Sequence, residues 1–223
     1  MSDNRVNPAL TTRATIQRPG TDLIEAARSL PVATLHEAAG KIGVLPTAIK
    51  PVHPHFRVCG PAITVDAPGG DNLWIHRAIY AAQPGDILVV NVSKQYDHGY
   101  WGEIMSTACR VRRLGGLVIN GCVRDHTLLN EIGFPIFARG LSIRGTGKDF
   151  QARGWINYPT LFDDVVVSAG DLIVGDSDGV VSIPLDRVAE VVQAACQREV
   201  FEADVLKRLE QGESSLAIYG WEV

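Results

Sequence analysis

The sequence predicts an α/β fold: a central, largely parallel sheet with covering helices and a long helix at the C-terminal end. Three observations predict it. Between residues 60 and 138, short β-branched runs alternate with segments of helical periodicity. From Pro159 the chain changes to β-rich runs separated by Ala-Gly-Asp and Asp-Ser-Asp-Gly turns. From Leu185 to Gly212 no internal Gly or Pro interrupts an amphipathic pattern that sets Val188, Val191, Val192 and Ala195 on one side.

The elements follow in order. Residues 1–20, MSDNRVNPALTTRATIQRPG, lack periodicity and end in Pro-Gly, so they read as an N-terminal arm or a strap on a neighbouring subunit; residues 21–223 read as one domain. TDLIEAARSL begins at Thr21 with a capping residue and helical spacing, and VATLHEAAGK repeats the pattern until Gly40 stops it. After Gly60, PAITV is a strand, Asp71 caps the helix DNLWIHRAIYAA, and GDILVVNVS is a buried strand. A helix from about Trp101 to Leu114, the strand GLVIN, a short helix after Asp125 and the strand PIFA continue the alternation. DVVVSAGDLIVGDSDGVVSIP is three short strands. At about 1.5 Å per residue the final helix runs roughly 40 Å, longer than a domain of this size needs for its own core, so it is expected to reach a neighbour.

Composition narrows the function. A 223-residue chain suits one compact domain that buries roughly 70% of its unfolded surface. Hydrophobic residues make up 46% and charged residues 21%, as in an ordinary globular protein. The formal net charge is −4, with no long basic run, which argues against a duplex nucleic-acid footprint or a membrane-surface helix. Arg110, Arg112 and Arg113 scatter around a helix as a solvated or inter-subunit face. No apolar run approaches the roughly 20 residues that span a bilayer. Cys59, Cys109, Cys122 and Cys196 have no CxxC spacing, and no signal-like segment leads the chain, so reduced thiols and a cytoplasmic location are expected.

The stretch GYWGEIMSTACRVRRLGGLVINGCVRD, residues 99–125, holds the chemistry-bearing positions. If a helix starts at Gly102, the N–H groups of Gly102, Glu103, Ile104 and Met105 form a cradle for an anion, and glycine lets a carboxylate approach the backbone. An ordinary helix start with an acidic first turn is the plainer alternative. Arg124 and Asp125 follow a strand, at the carboxyl edge where open α/β sheets bind ligands. Arginine holds carboxylates bidentately and aspartate is a hard ligand for Mg²⁺ or Mn²⁺; a surface ion pair capping the next helix is the alternative. GTGKD at 145–149 is not a phosphate-binding loop, because Ser142 and Asp149 stand where that pattern needs Gly and Ser or Thr. HEAAGK lacks a second zinc-binding histidine, the remaining histidines show no ligand spacing, and GDSDG lacks the distal glutamate of a calcium loop.

GDNLWIHRAIYAAQPGDILVVNV, the 99–125 stretch, GFPIFARG and GDLIVGDSDGVVSIP together resemble the class II pyruvate aldolases that cleave 4-hydroxy-4-methyl-2-oxoglutarate and 4-carboxy-4-hydroxy-2-oxoadipate. The resemblance spans roughly residues 25–220. It implies an αββα sandwich of the RraA-like, swivelling-domain type and a homotrimer or homohexamer with sites at subunit interfaces. The same superfamily includes the regulator of ribonuclease activity A, so a non-catalytic regulator that binds a ribonuclease or helicase is the alternative function. The aldolase signature is an acidic residue, twenty intervening residues, then Arg-Asp; here Glu103, Ile104 through Val123, then Arg124 and Asp125 have that spacing. The chain departs from the best-known members in carrying Glu rather than Asp at 103.

The resemblance implies roles residue by residue. The pyruvyl carboxylate of a 2-oxo acid sits on Gly102, Glu103, Ile104 and Met105. Arg124 faces the keto oxygen and the developing enolate, Glu103 takes the C4-hydroxyl proton, and Asp125 holds Mg²⁺ or Mn²⁺. A glutamate from the neighbouring subunit's C-terminal helix, Glu199 or Glu202, completes the metal site. Lys148 and Arg144 stand where a second carboxylate could be recognised. Oxaloacetate decarboxylation follows as a side activity, since loss of CO₂ leaves the same enolate.

Overall fold

A computed structural model describes residues 5–222. Two short helices, Thr21–Arg28 (α1) and Val32–Ala38 (α2), precede strands Lys50–Pro51 (β1) and Val58–Asp66 (β2). Helix Leu73–Ala81 (α3) and strand Ile87–Asn91 (β3) follow, then strand Gly99–Trp101 (β4), helix Glu103–Val111 (α4) and strand Gly116–Ile119 (β5). Cys122–Val123 (β6) leads into helix His126–Ile132 (α5), then Ile136–Ala138 (β7) and Gly140–Leu141 (β8). The rest of the chain supplies Trp155–Ile156 (β9), a hairpin of Thr160–Phe162 (β10) and Val165–Val167 (β11), and a second hairpin of Leu172–Gly175 (β12) and Val180–Ile183 (β13). Helix Val188–Glu210 (α6) and the short helix Ser215–Tyr219 (α7) close it.

The main sheet runs in the order β1-β7-β5-β3-β2-β12-β13, with β9 paired to β2. Its centre, β2-β3-β5-β7, is parallel, as the alternation predicts, but both flanks are antiparallel. Side chains of β12 alternate between two cores. Leu172 and Val174 join Val181, Ile183 and the buried face of α1, α2 and α6, whereas Ile173 joins the larger core under α3 and α4. The hairpin is therefore covered on both faces, which explains its continuous apolar sequence.

A smaller parallel sheet, β4-β6-β8, positions the site. Each of its strands follows a strand of the parallel centre after a short break: β6 after β5, β8 after β7 and β4 after β3. It thus lies at the carboxyl end of the parallel strands, where loops are free to bind.

Several expectations are corrected. Trp101 belongs to β4, not to a helix; it is fully buried, its indole N–H donates to Ser106 Oγ at 2.6 Å, and it stacks on Phe134. The helix therefore starts at Glu103 with Gly102 as N-cap, and it ends at Val111 because Arg113 turns the backbone left-handed (φ 58°). Arg112 is not a solvated residue: it donates to the carbonyls of Ile79 and Ala82, satisfying the end of α3. The described part of the N-terminal segment lies on its own chain. Val6 N–H donates to Phe150, Arg13 N–H to Ile156, and Arg18 grips the buried Asp86 with two 2.8 Å bonds. Residues 1–4 of that arm lie outside the described residues. Helix α6 has 23 residues, about 34 Å, rather than roughly 40 Å. Its second half leaves Val200, Phe201, Leu206 and Leu209 exposed.

Candidate active site

The site begins at the break between β4 and α4. Gly102 is extended (φ −158°, ψ −163°), so α4 starts abruptly, and Ser106 N–H donates the first helical bond back to the Gly102 carbonyl. The twenty-residue return through α4, β5 and β6 brings Arg124 N–H onto the Trp101 carbonyl at 2.9 Å. Asp125 then adopts a left-handed conformation (φ 63°, ψ 36°), tolerable for aspartate, and caps α5. That reversal folds its carboxylate back to the start of α4, where Oδ2 accepts the Glu103 N–H at 3.1 Å and lies 3.9 Å from Arg124 Nε. A Cβ on Gly102 would stand 2.3 Å from Asp125 Oδ2. Glycine here does admit a carboxylate to the backbone, and the carboxylate that fills the space is the protein's own. Of the four N–H groups expected in the cradle, the one on Glu103 is already engaged.

These residues line one cavity of about 310 Å³. Gly102, Glu103, Ile104, Met105, Arg124, Asp125 and Lys148 all border it, so the structure gathers the expected substrate-binding residues from three separate segments. Arg144 does not border the cavity; its carbonyl accepts the Gly99 N–H. Glu199 and Glu202 lie elsewhere on the same chain: Glu199 accepts a 2.6 Å bond from Thr34 Oγ1, and Glu202 pairs with Arg198 at 2.7 Å.

Sequence reasoning missed Asn72, His76, Tyr100 and Thr146, which also line the cavity. A signal existed for two of them, since Asn72 and His76 are four apart at the start of a helix and so share a face. Burial pushes the His76 imidazole below its ordinary value, the Lys148 ammonium pushes it further down, and Asp71 opposes both. The neutral form of His76 is thus favoured, and its ring nitrogens can accept or donate a hydrogen bond toward the cavity. Tyr100 is fully buried, and its phenol is raised mainly by that burial.

The donor set suits a hard divalent ion that keeps several waters. Among the described residues no three His, Cys, Asp or Glu side chains cluster as a metal-binding group. Asp125, with the side chain of Glu103 on the same cavity, provides the one or two carboxylates with which Mg²⁺ is typically held, the remaining positions falling to water and ligand oxygens. No helix of the described residues is long and apolar enough to cross a membrane.

Comparison with known proteins agrees with the architecture. A family model described as "RraA-like: Aldolase/RraA" matches residues 21–182. A protein of Halalkalibacterium halodurans, named "Putative 4-hydroxy-4-methyl-2-oxoglutarate aldolase", is 34% identical over 178 residues, covering 80% of this chain and 84% of its own. The crystal structure of a Pseudomonas syringae pv. tomato protein superposes with a TM-score of 0.76 at 26% identity, covering 89% of this chain and 97% of that one. Streptomyces coelicolor RraAS2, titled an unusual member of the RNase ES inhibitor RraA family, shares the fold with a TM-score of 0.75 at 24% identity, covering 86% and 98%.

Proposed function

The chain belongs to the RraA-like aldolase/RraA family, and from that premise we propose that it is a divalent-metal-dependent class II aldolase. The proposed reaction cleaves 4-hydroxy-4-methyl-2-oxoglutarate or 4-carboxy-4-hydroxy-2-oxoadipate to pyruvate and a second 2-oxo acid, with oxaloacetate decarboxylation as a side activity. One observation carries the reading. An acidic residue and, after twenty intervening residues, an adjacent arginine and metal-type aspartate border one cavity beside a helix start and a lysine. A protein that only docked onto a partner would not need this convergence.

The residues divide the work as follows. The substrate's pyruvyl carboxylate sits at the start of α4 on the N–H groups of Gly102, Ile104 and Met105, which Asp125 leaves available. Arg124, held by its backbone bond to Trp101, presents a fixed positive charge to the keto oxygen as the enolate forms. Glu103, exposed on the cavity rim, accepts the C4-hydroxyl proton as the carbon–carbon bond breaks. Lys148 faces the distal carboxylate. Asp125 would hold Mg²⁺ or Mn²⁺, with Glu199 or Glu202 of a neighbouring copy completing the shell in a trimer or hexamer. Bound there, the ion supplies Lewis-acid stabilisation of the charge on the keto oxygen.

The test is pyruvate release from the two hydroxy-oxo acids, one a diacid and the other a triacid, and from oxaloacetate, after chelation and with Mg²⁺ or Mn²⁺ restored. Metal-dependent pyruvate from at least one of the two hydroxy-oxo acids is expected, and Arg124→Ala should abolish it without lowering the melting temperature. Absence of metal-dependent pyruvate from all three would leave the regulator reading standing.

A further inference from the structure

The loop at residues 68–72 joins two walls of the cavity. Toward α4 it fastens Tyr100: Gly70 N–H donates to the phenol oxygen at 2.8 Å, the phenol donates to the Gln95 carbonyl at 2.6 Å, and Asn72 Nδ2 donates to the Tyr100 carbonyl at 2.9 Å. Toward Lys148 it pairs with the opposite wall, Gly147 N–H donating to the Gly70 carbonyl at 2.7 Å. At the junction stands Asp71, only 5% exposed. Its Oδ1 accepts the Leu73 N–H at 2.7 Å, at the start of α3, and its Oδ2 accepts the Asp149 N–H. Among the described residues no lysine or arginine forms an ion pair with it.

A buried carboxylate without a salt bridge is costly, and this one is held by backbone donors from two separate segments. Lys148 lies between the two residues so pinned, Gly147 by its backbone and Asp149 by the Asp71 carboxylate. We propose that Asp71 is a positioning residue: by tying the Gly147–Asp149 segment to the start of α3, it sets where the Lys148 ammonium stands and hence how the site recognises a substrate's second carboxylate. The proposal deepens the aldolase reading and rests on it for the identity of that substrate.

Both Asp71 oxygens act as acceptors, so an asparagine of nearly the same shape can satisfy only one of the two N–H groups and turns a donor toward the other. The experiment compares wild type, Asp71→Asn, Lys148→Ala and the double variant. It measures KM and kcat for cleavage of the diacid, and deuterium exchange into the methyl group of pyruvate, which has no second carboxylate. Asp71→Asn should raise the diacid KM about tenfold, change kcat far less, and leave the pyruvate concentration dependence of exchange much less affected. In the Lys148→Ala background the same change should add less than about twofold, because the two residues act through one contact. If Asp71→Asn folds poorly, Asp71→Ser, whose hydroxyl can still accept from Leu73 but is too short to bridge to Asp149, should give the same KM rise. An unchanged KM, an equal loss in pyruvate exchange, or a full tenfold effect without Lys148 would overturn the proposal. If the wild type cleaves no diacid, the aldolase reading fails by itself. Calorimetric binding of 2-oxoglutarate then decides the positioning claim, with non-additive weakening by the two substitutions supporting it and additive or absent weakening overturning it.

Discussion

Gly102→Ala adds one methyl group at the tightest point of the site. Its backbone is already extended, so alanine meets no conformational penalty there; the cost is steric. The new Cβ would lie 2.3 Å from Asp125 Oδ2 and 3.3 Å from Arg124 Cγ. A relaxed carbon–oxygen contact is roughly 3.3–3.6 Å, so the carboxylate must retreat by about 1 Å. From 3.1 Å, its bond to the Glu103 N–H then stretches past the range of a hydrogen bond. Losing a charge-assisted bond costs about 1.5–3 kcal/mol, and alanine is a poorer N-cap than glycine by up to about 1 kcal/mol. For a chain of this length each kcal/mol lowers Tm by about 2–4 °C, so a fall of roughly 3–16 °C is expected in thermal denaturation. Activity should suffer more, since a displacement of about 1 Å of reacting groups can cost on the order of 100-fold. The assay is kcat/KM for pyruvate release alongside the melting curve. A variant that keeps kcat/KM within about threefold of wild type would refute the claim that Asp125 and Arg124 must stand where Gly102 lets them.

Glu103→Gln should keep pyruvate binding, which uses backbone N–H groups, yet lower retro-aldol turnover by about 10²–10⁴-fold while sparing oxaloacetate decarboxylation, which removes no C4-hydroxyl proton. Equal losses in the two reactions would make Glu103 a positioning group instead. His76 has a folded pKa below the ordinary 6.5. Its contribution to stability is thus present above about pH 6.5 and lost as pH falls through the lowered folded value. An NMR titration of its ring proton should find a midpoint under 6.5 that rises in Lys148→Ala, and a wild-type midpoint at or above 6.5 would contradict the assigned surroundings. Among the described residues Arg18→Ala leaves Asp86, 1% exposed, buried with the Gln83 N–H alone to meet its charge, and should destabilise the fold by about 3 kcal/mol in urea denaturation. A change under about 1 kcal/mol would mean that the N-terminal segment is not anchored there.

The candidate site was partly legible because its positions lie in one stretch with a telling order: a glycine-led helix start, a buried strand, then Arg-Asp. What order could not convey is direction. Nothing local says that Asp125 turns left-handed and delivers its carboxylate to the Glu103 N–H, since that direction depends on where β6, paired between β4 and β8, leaves the chain. The same limit hid His76 and Asn72. They precede the helix start by some thirty residues in the chain and meet it only because the 68–72 loop is bonded to Tyr100.

By itself the sequence determined the α/β alternation, the β-rich segment near the C-terminal end and the long final helix, because these depend on periodicity and turn chemistry that act over neighbouring residues. Only the tertiary structure decided the antiparallel flanks of the sheet, the small β4-β6-β8 sheet and the assembly of one cavity from four separate segments of the chain. Strands such as β4, β6 and β8, of two or three residues with no apolar run around them, carry too little pattern to be seen, and they form because the parallel centre holds their ends in register. Trp101 illustrates the difference. Its place in a helical-looking run suggested a helix, but full burial beside Phe134 and a bond to Ser106 fix it in a strand, and that choice moves the helix start, and the site with it, to Glu103.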